Sequence, residues 1–318
     1  MSGILLIAVS AAISYLFTAL MQKIMIPQEK FNLTDKNGGM QFLFGGVPYV
    51  LSTAAASAVI VGISMAAGFG NPVVSYSGIL SFQNTVIWSG IAAALMFSAI
   101  GFYDDSLKIK NNSLSGINNI SMSALQLVVT AVYLFVIFFA YGKTPCVYIP
   151  FIGNIYSSLL FWISGMAVIF GSINTYRLNE NKDKLFVYIS IICFVSVCIM
   201  GYIKKSSGCM ILSSAAAGGL SAFGFFKKKF PAAVPGRAGM IFSSGMLLGC
   251  VYILDCPLMM LLLYAVFIIE GIYALLCRGK TLYGRIISSG LDEKTVNLIY
   301  VLLTVIFCTA GIIMMILG

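Results

Sequence analysis

Asp104 and Asp105 stand side by side in Gly101-Phe-Tyr-Asp-Asp-Ser-Leu-Lys108, where a long apolar run gives way to polar residues. Two carboxylates this close repel, which raises the pKa of one of them and suits it to accept a proton. Adjacent side chains on a helix diverge by about 100°. One acid could therefore face a cavity while the other holds itself or a neighbouring element. The competing reading is a solvated helix end. There is no histidine in the chain, so imidazole chemistry is excluded.

Three further groups could carry chemistry. Glu180 and Asp183, in Asn174-Thr-Tyr-Arg-Leu-Asn-Glu-Asn-Lys-Asp-Lys184, are three apart and share a face if helical. They could line a site, or pair with Lys182 and Lys184 on a surface. The segment Phe225-Phe-Lys-Lys-Lys-Phe-Pro-Ala-Ala-Val-Pro-Gly-Arg-Ala-Gly239 opens a helix with a Gly-rich turn. Free backbone N–H groups there can cradle an anion, and with Arg237 and three lysines alongside the natural ligand is phosphate. The alternative is a basic cluster beside anionic lipid. Glu270 lies deep in an apolar run, where a carboxylate is costly and faces a partner or a wet cavity.

The elements that must position these groups follow from composition. The 318 residues are 60% hydrophobic and 9% charged, whereas soluble domains carry about 25% charged residues. The solvent is mostly lipid. Ten apolar runs approach the roughly 20 residues a spanning helix needs: 3–22, 42–67, 84–103, 121–141, 155–174, 185–202, 209–226, 238–254, 257–277 and 296–317. The first is too long for a signal peptide and lacks a basic leader and a small-residue cleavage site, so it is expected to remain as a helix. Sixteen of the nineteen Lys and Arg residues fall in the odd-numbered gaps between runs, and only Lys143, Lys204 and Lys205 fall in the even ones. The positive-inside rule then puts the odd gaps in the cytoplasm and both termini outside. The net charge of +9 reads as a topology signal and not as a nucleic-acid surface.

The fold class expected is an all-α polytopic membrane protein of about ten helices, a single membrane domain over 1–318. One outer gap, 142–154, alternates and carries Pro, which suits a short β-hairpin. The eight cysteines have no metal-ligand spacing and read as small buried hydrophobes. Cys146 and Cys256 fall on the same outer side and could pair.

The order of motifs resembles the phospho-N-acetylmuramoyl-pentapeptide transferase family, within the polyprenyl-phosphate sugar-1-phosphate transferases. Gly101-Phe-Tyr-Asp-Asp-Ser-Leu-Lys108 is similar to the family's Asp-Asp-x-x-Lys motif, the most specific match. Thr34-Asp-Lys-Asn-Gly-Gly-Met40 looks like its Thr-Pro-Thr-Met-Gly-Gly segment, and Val266-Phe-Ile-Ile-Glu270 with Gly279-Lys280 resembles its ninth helix and the loop beyond. Ten helices with both termini outside is the family topology. The resemblance implies transfer of a phospho-sugar from a UDP-sugar to polyprenyl phosphate with Mg²⁺ and release of UMP. It assigns Asp104 and Asp105 to catalysis at the cytoplasmic face of a bacterial-type inner membrane. Lys108, Glu180, Asp183, Arg237 and Lys280 become substrate contacts, and a homodimer is implied by the resemblance alone.

The chain also departs from that pattern. Arg177-Leu-Asn-Glu-Asn-Lys-Asp-Lys-Leu185 replaces Asn-x-x-Asp-Gly-Leu-Asp-Gly-Leu, with both glycines gone. Pro235-Gly-Arg-Ala-Gly239 shortens Phe-Met-Gly-Asp-x-Gly, so Arg237 stands where the main Mg²⁺-binding aspartate belongs. The family's histidine run is missing between Gly279-Lys-Thr-Leu-Tyr-Gly-Arg285 and Gly290-Leu-Asp-Glu293. The expectation is a divergent relative with catalysis impaired or lost, still binding a polyprenyl phosphate, a UDP-sugar or another membrane protein. An active enzyme with a rebuilt, Mg²⁺-dependent site and a lipid-carrier transporter are the alternatives.

Overall fold

The computed structural model describes residues 2–25, 32–34, 40–66, 82–112, 116–141, 145–149, 153–177, 183–277 and 281–317. In chain order these form α1 (Ser2–Met25), β1 (Asn32–Thr34), β2 (Met40–Phe42), a 3-10 turn (Leu43–Gly46), α2 (Val47–Ala66), α3 (Phe82–Lys110) and α4 (Asn119–Tyr141). Then come β3 (Cys146–Ile149), β4 (Gly153–Tyr156), α5 (Ser158–Arg177), α6 (Asp183–Ile203), α7 (Ser207–Lys229) and α8 (Gly236–Ile253). The chain closes with α9 (Met259–Leu263), α10 (Ala265–Leu276), α11 (Leu282–Ser288) and α12 (Glu293–Leu317).

Each of the ten apolar runs forms a helix, so the chain is an all-α multi-pass membrane protein. Among the described residues eight helices are long and apolar enough to span a bilayer. The fifth run forms α5, and the ninth is divided at Tyr264 into α9 and α10. The two least apolar spanning helices, α7 and α8, are the most buried: 72% and 94% of their spans lie inside the protein, against 17% for α1. A helix wrapped by other helices needs no lipid-compatible surface, which explains why Gly, Ala and Ser accumulate there.

Small residues set the packing. Helices α3 and α8 form the most closely engaged pair and run antiparallel. Gly90 meets Gly249, Ala94 meets Gly245, and Gly101 meets Ala238. A Cβ on Gly245 would lie 2.7 Å from the Ala94 Cα. Helices α1 and α7 run parallel, with Gly3 beside Met210 and Gly218 against the Ala11 backbone. On α1 the buried positions Ser10, Ser14 and Thr18 recur every four residues. They hydrogen-bond Ser214, Thr53 and Ser52 respectively. Interhelical hydroxyls do this work in lipid, where burial of apolar side chains between helices gives little advantage over lipid contact.

The two ends of the bundle are held by different contacts. At one end the Phe42 N–H donates to Ala232 O (2.8 Å) and the Val234 N–H to Phe42 O (3.1 Å), tying the first and seventh gaps together. At the other end Tyr141 Oη donates to Asp255 (2.9 Å), and Lys204 lies 6.0 Å from the Tyr148 ring centroid, joining the fourth, sixth and eighth gaps. The division of gaps read from charge is thus a division of space. The hairpin expected in 142–154 is β3–β4, antiparallel with Cys146 opposite Tyr156. The proposed Cys146–Cys256 pairing falls on a side chain, that of Cys146, outside the described residues. A second antiparallel pair, β1–β2, joins Ala233 through Phe42, and nothing in the alternation of residues 32–42 signals it.

Gly245→Val should destabilise the protein by roughly 1–3 kcal/mol, because overpacking at a backbone contact cannot be relieved by rotamer change. Gly62, with open space around its Cα, serves as the control. Gly62→Ala should leave the thermal midpoint in detergent unchanged or slightly raised, while Gly245→Val lowers it.

Candidate functional site

Helix α3 does not stop at the apolar boundary but continues through Lys110. Asp104 and Asp105 therefore lie inside the helix and not at a solvated end. Both are 0% exposed. The continuation is supported locally: Lys108 Nζ is 3.1 Å from Asp104 Oδ2, an i,i+4 pair, and 3.8 Å from Asp105 Oδ1, an i,i+3 pair. Lys108 and Lys110 also favour the negative end of the helix dipole.

The two acids then diverge, as adjacent helical positions must, and each is used by a different neighbour. Asp105 Oδ2 accepts the backbone N–H of Ala238 at 3.1 Å. Ala238 is in the first turn of α8, whose amides have no intrahelical acceptor. Asp105 therefore serves as an N-terminal cap donated by another helix. Asp104 Oδ1 accepts the Ile117 N–H at 2.7 Å and anchors the strand of chain leading into α4. Asp104 Oδ2 meets Arg237 Nη1 at 2.8 Å, and the same nitrogen lies 3.3 Å from Met122 Sδ.

This close approach depends on two glycines. A Cβ on Gly101 would sit 2.7 Å from the Arg237 carbonyl carbon. Gly236 has φ +61°, and a Cβ there would lie 2.2 Å from Leu43 O and 2.7 Å from Asp105 Oδ2. Only glycine allows α8 to begin directly beside the acid pair.

The structure thus gathers four of the seven candidate residues, Asp104, Asp105, Lys108 and Arg237, into one buried quartet of two carboxylates and two cations. Glu180 and Lys280 lie outside the described residues. Asp183 begins α6, and its side chain is likewise outside them. The anion cradle expected at the start of α8 has its Ala238 amide taken by Asp105, and Gly239 N bonds Pro235 O at 3.2 Å. Lys227 Nζ donates to Ala233 O at 2.9 Å and braces the connection between α7 and α8.

Glu270 follows the same logic. Its carboxylate accepts the Leu282 and Tyr283 N–H groups at 3.1 and 2.8 Å and the Tyr300 hydroxyl. Those amides open α11, where Thr281 also accepts the Gly284 N–H at 3.1 Å. Glu270 has no partner legible in the sequence because two of its donors are backbone groups and the third, Tyr300, lies 30 residues away on another helix. The one visible signal was Thr281 itself, a capping residue before a short helical stretch. Beside α11 a cleft of about 770 Å³ is lined by Tyr273, Cys277, Thr281, Arg285 and Ser288, with Arg285 Nη1 bonded to Tyr273 Oη at 2.8 Å.

Arg237→Ala should destabilise the protein by about 3–5 kcal/mol, since removing one partner of a buried ion pair leaves charge uncompensated. Asp105→Asn, which keeps an acceptor for Ala238, should cost less than Asp105→Ala. Thermal unfolding of the purified variants in detergent checks both. Acids held only for chemistry would give neutral or stabilising replacements.

No family model matches the chain. Among curated proteins it is similar to the phospho-N-acetylmuramoyl-pentapeptide-transferase of Lactobacillus acidophilus, 28% identical over 190 residues, 59% of this chain and 58% of the relative. The protein of the same name from Lactobacillus delbrueckii subsp. bulgaricus is 27% identical over 226 residues, 71% of this chain and 66% of the relative. That from Clostridium novyi is 25% identical over 244 residues, 71% and 74%. The chain thus spans 58% of the length of the first of these relatives. The motif resemblance extends to the sequence at large, and these relatives support a divergent member of the phospho-N-acetylmuramoyl-pentapeptide transferase family.

Proposed function

We propose that this chain is a transferase relative whose acid pair has passed from phosphoryl chemistry to holding the fold, with phospho-sugar transfer impaired or lost. It retains the capacity to engage a polyprenyl phosphate, and a UDP-sugar, at its basic face. By the positive-inside rule that face is cytoplasmic, in a bacterial-type inner membrane. The observation that carries this reading is the 2.8 Å contact between Arg237 and Asp104, a carboxylate whose other oxygen is committed to Ile117.

The donor set does not suit Mg²⁺. A divalent ion needs carboxylate oxygens carrying net negative charge, with room for waters at about 2.0–2.1 Å. Here two carboxylates face two fixed cations within 2.8 to 3.8 Å. A guanidinium can pair with a diphosphate, but this one is already engaged by Asp104 and repels a metal from the same place. Phosphoryl transfer depends on positioning and on charge stabilisation at the transferring group. A quartet neutralised from within offers little of the second.

Purified protein in nanodiscs, given undecaprenyl phosphate, UDP-N-acetylmuramoyl-pentapeptide and Mg²⁺, should release no UMP above background while an active family member does so alongside. Turnover that disappears in an Asp104→Asn/Asp105→Asn variant would overturn the reading and establish an enzyme rebuilt around Arg237. The same reading expects the thermal midpoint to be equal in Mg²⁺ and in EDTA. A midpoint raised by Mg²⁺ would speak for a metal site.

A further inference from the structure

We propose that the groove between α6 and α7 at the basic end of the bundle is a binding site for an anionic glycerophospholipid. The groove encloses about 480 Å³, and its lining includes Val187, Ile191, Phe225 and Pro231 with Tyr188, Lys227 and Lys228. It belongs neither to the quartet nor to the α10–α11 cleft, and it depends only on the membrane reading, not on any transferase activity.

Position decides what can enter. Helix α6 begins at Asp183 and α7 ends at Lys229. Residues 187–191 and 221–228 therefore fall within about two turns of those ends. The groove sits where acyl chains meet headgroups. Its apolar walls suit the upper part of an acyl chain. Tyr188 and Phe225, 48% and 55% exposed, flank it as aromatic residues do at the lipid–water boundary.

The mouth is cationic. Lys228 is exposed and makes no ion pair among the described residues. Lys229 lies 5.5 Å from the Phe225 ring centroid, which holds a second ammonium over the groove's own wall. Lys227, tied to the Ala233 carbonyl, keeps a third positive charge in the lining. Basic pockets between membrane helices on this side select phosphate headgroups. The short reach of the groove favours a phospholipid, whose chains can lie partly in bulk lipid, over the long isoprenoid of a polyprenyl phosphate.

The test is native mass spectrometry of the detergent-purified protein with phosphatidylglycerol, phosphatidylcholine or undecaprenyl phosphate added at equal concentration. Phosphatidylglycerol should be retained as a one-to-one adduct and phosphatidylcholine should not. Lys228→Ala/Lys229→Ala should lower that retention roughly tenfold or more, since each interfacial lysine contributes about fivefold. Lys204→Ala/Lys205→Ala removes equal charge from the opposite end of the bundle and should leave retention unchanged. Equal retention of phosphatidylglycerol by the Lys228/Lys229 variant, an equal loss in both double variants, or retention of undecaprenyl phosphate that exceeds that of phosphatidylglycerol and is lost in the Lys228/Lys229 variant would each overturn the assignment.

Discussion

A carboxylate taken out of water must find donors, and in this protein the donors are the unsatisfied amides where the chain enters a helix. Asp105 closes the first turn of α8, Asp104 holds the segment before α4, and Glu270 opens α11. Asp105 joins elements 133 residues apart, while Asp104 and Glu270 fix the turns between consecutive helices. A buried charge costs several kcal/mol after relaxation, so each helix start and each acid become dependent on the other. The three acids are junctions of the bundle before they are anything else.

Those junctions exist because helices can approach closely. The contacts of Gly90, Ala94 and Gly101 with Gly249, Gly245 and Ala238 keep α3 and α8 in one register along the membrane normal. The same register that lets Gly90 touch Gly249 at one end delivers Asp105 to the Ala238 amide at the other. Hydroxyls along α1 fasten that core to α2 and α7. Charge and packing therefore act as a single constraint: a side chain added at Gly101 or Gly236 would remove the acid's partner as surely as deleting the acid.

On the proposed function, an arginine at position 237 in place of an acid makes sense in this setting. A transferase site leaves carboxylates short of positive charge so that a metal can supply it. Here the chain supplies positive charge from Lys108 and Arg237, and on the proposed function the acids keep a structural use that does not require turnover. Conversion of the acid site into a structural joint would preserve the Asp-Asp-x-x-Lys pattern even as the surrounding glycines and histidines are absent, which is the combination this sequence carries.

Much was legible from residues alone. Ten apolar runs became helices because backbone groups in lipid must bond within their own segment. Among the described residues the basic first, third and seventh gaps meet at one end, while the fourth, sixth and eighth meet at the other. The β3–β4 hairpin was visible in its alternation. The nearness of Asp104, Asp105 and Lys108 followed from helical spacing, and Arg237 stood out as part of a basic, Gly-rich helix start, without any sign that it would meet Asp104. What the sequence could not disclose was who holds whom. The partners of Asp105 and Glu270 include backbone amides, identical at every residue and so invisible in side-chain types. The Arg237–Asp104 contact spans 133 residues of chain. Whether an acid serves as base, metal ligand or cap depends on which donors the tertiary packing brings to it, and that was decided by the crossing of α3 and α8.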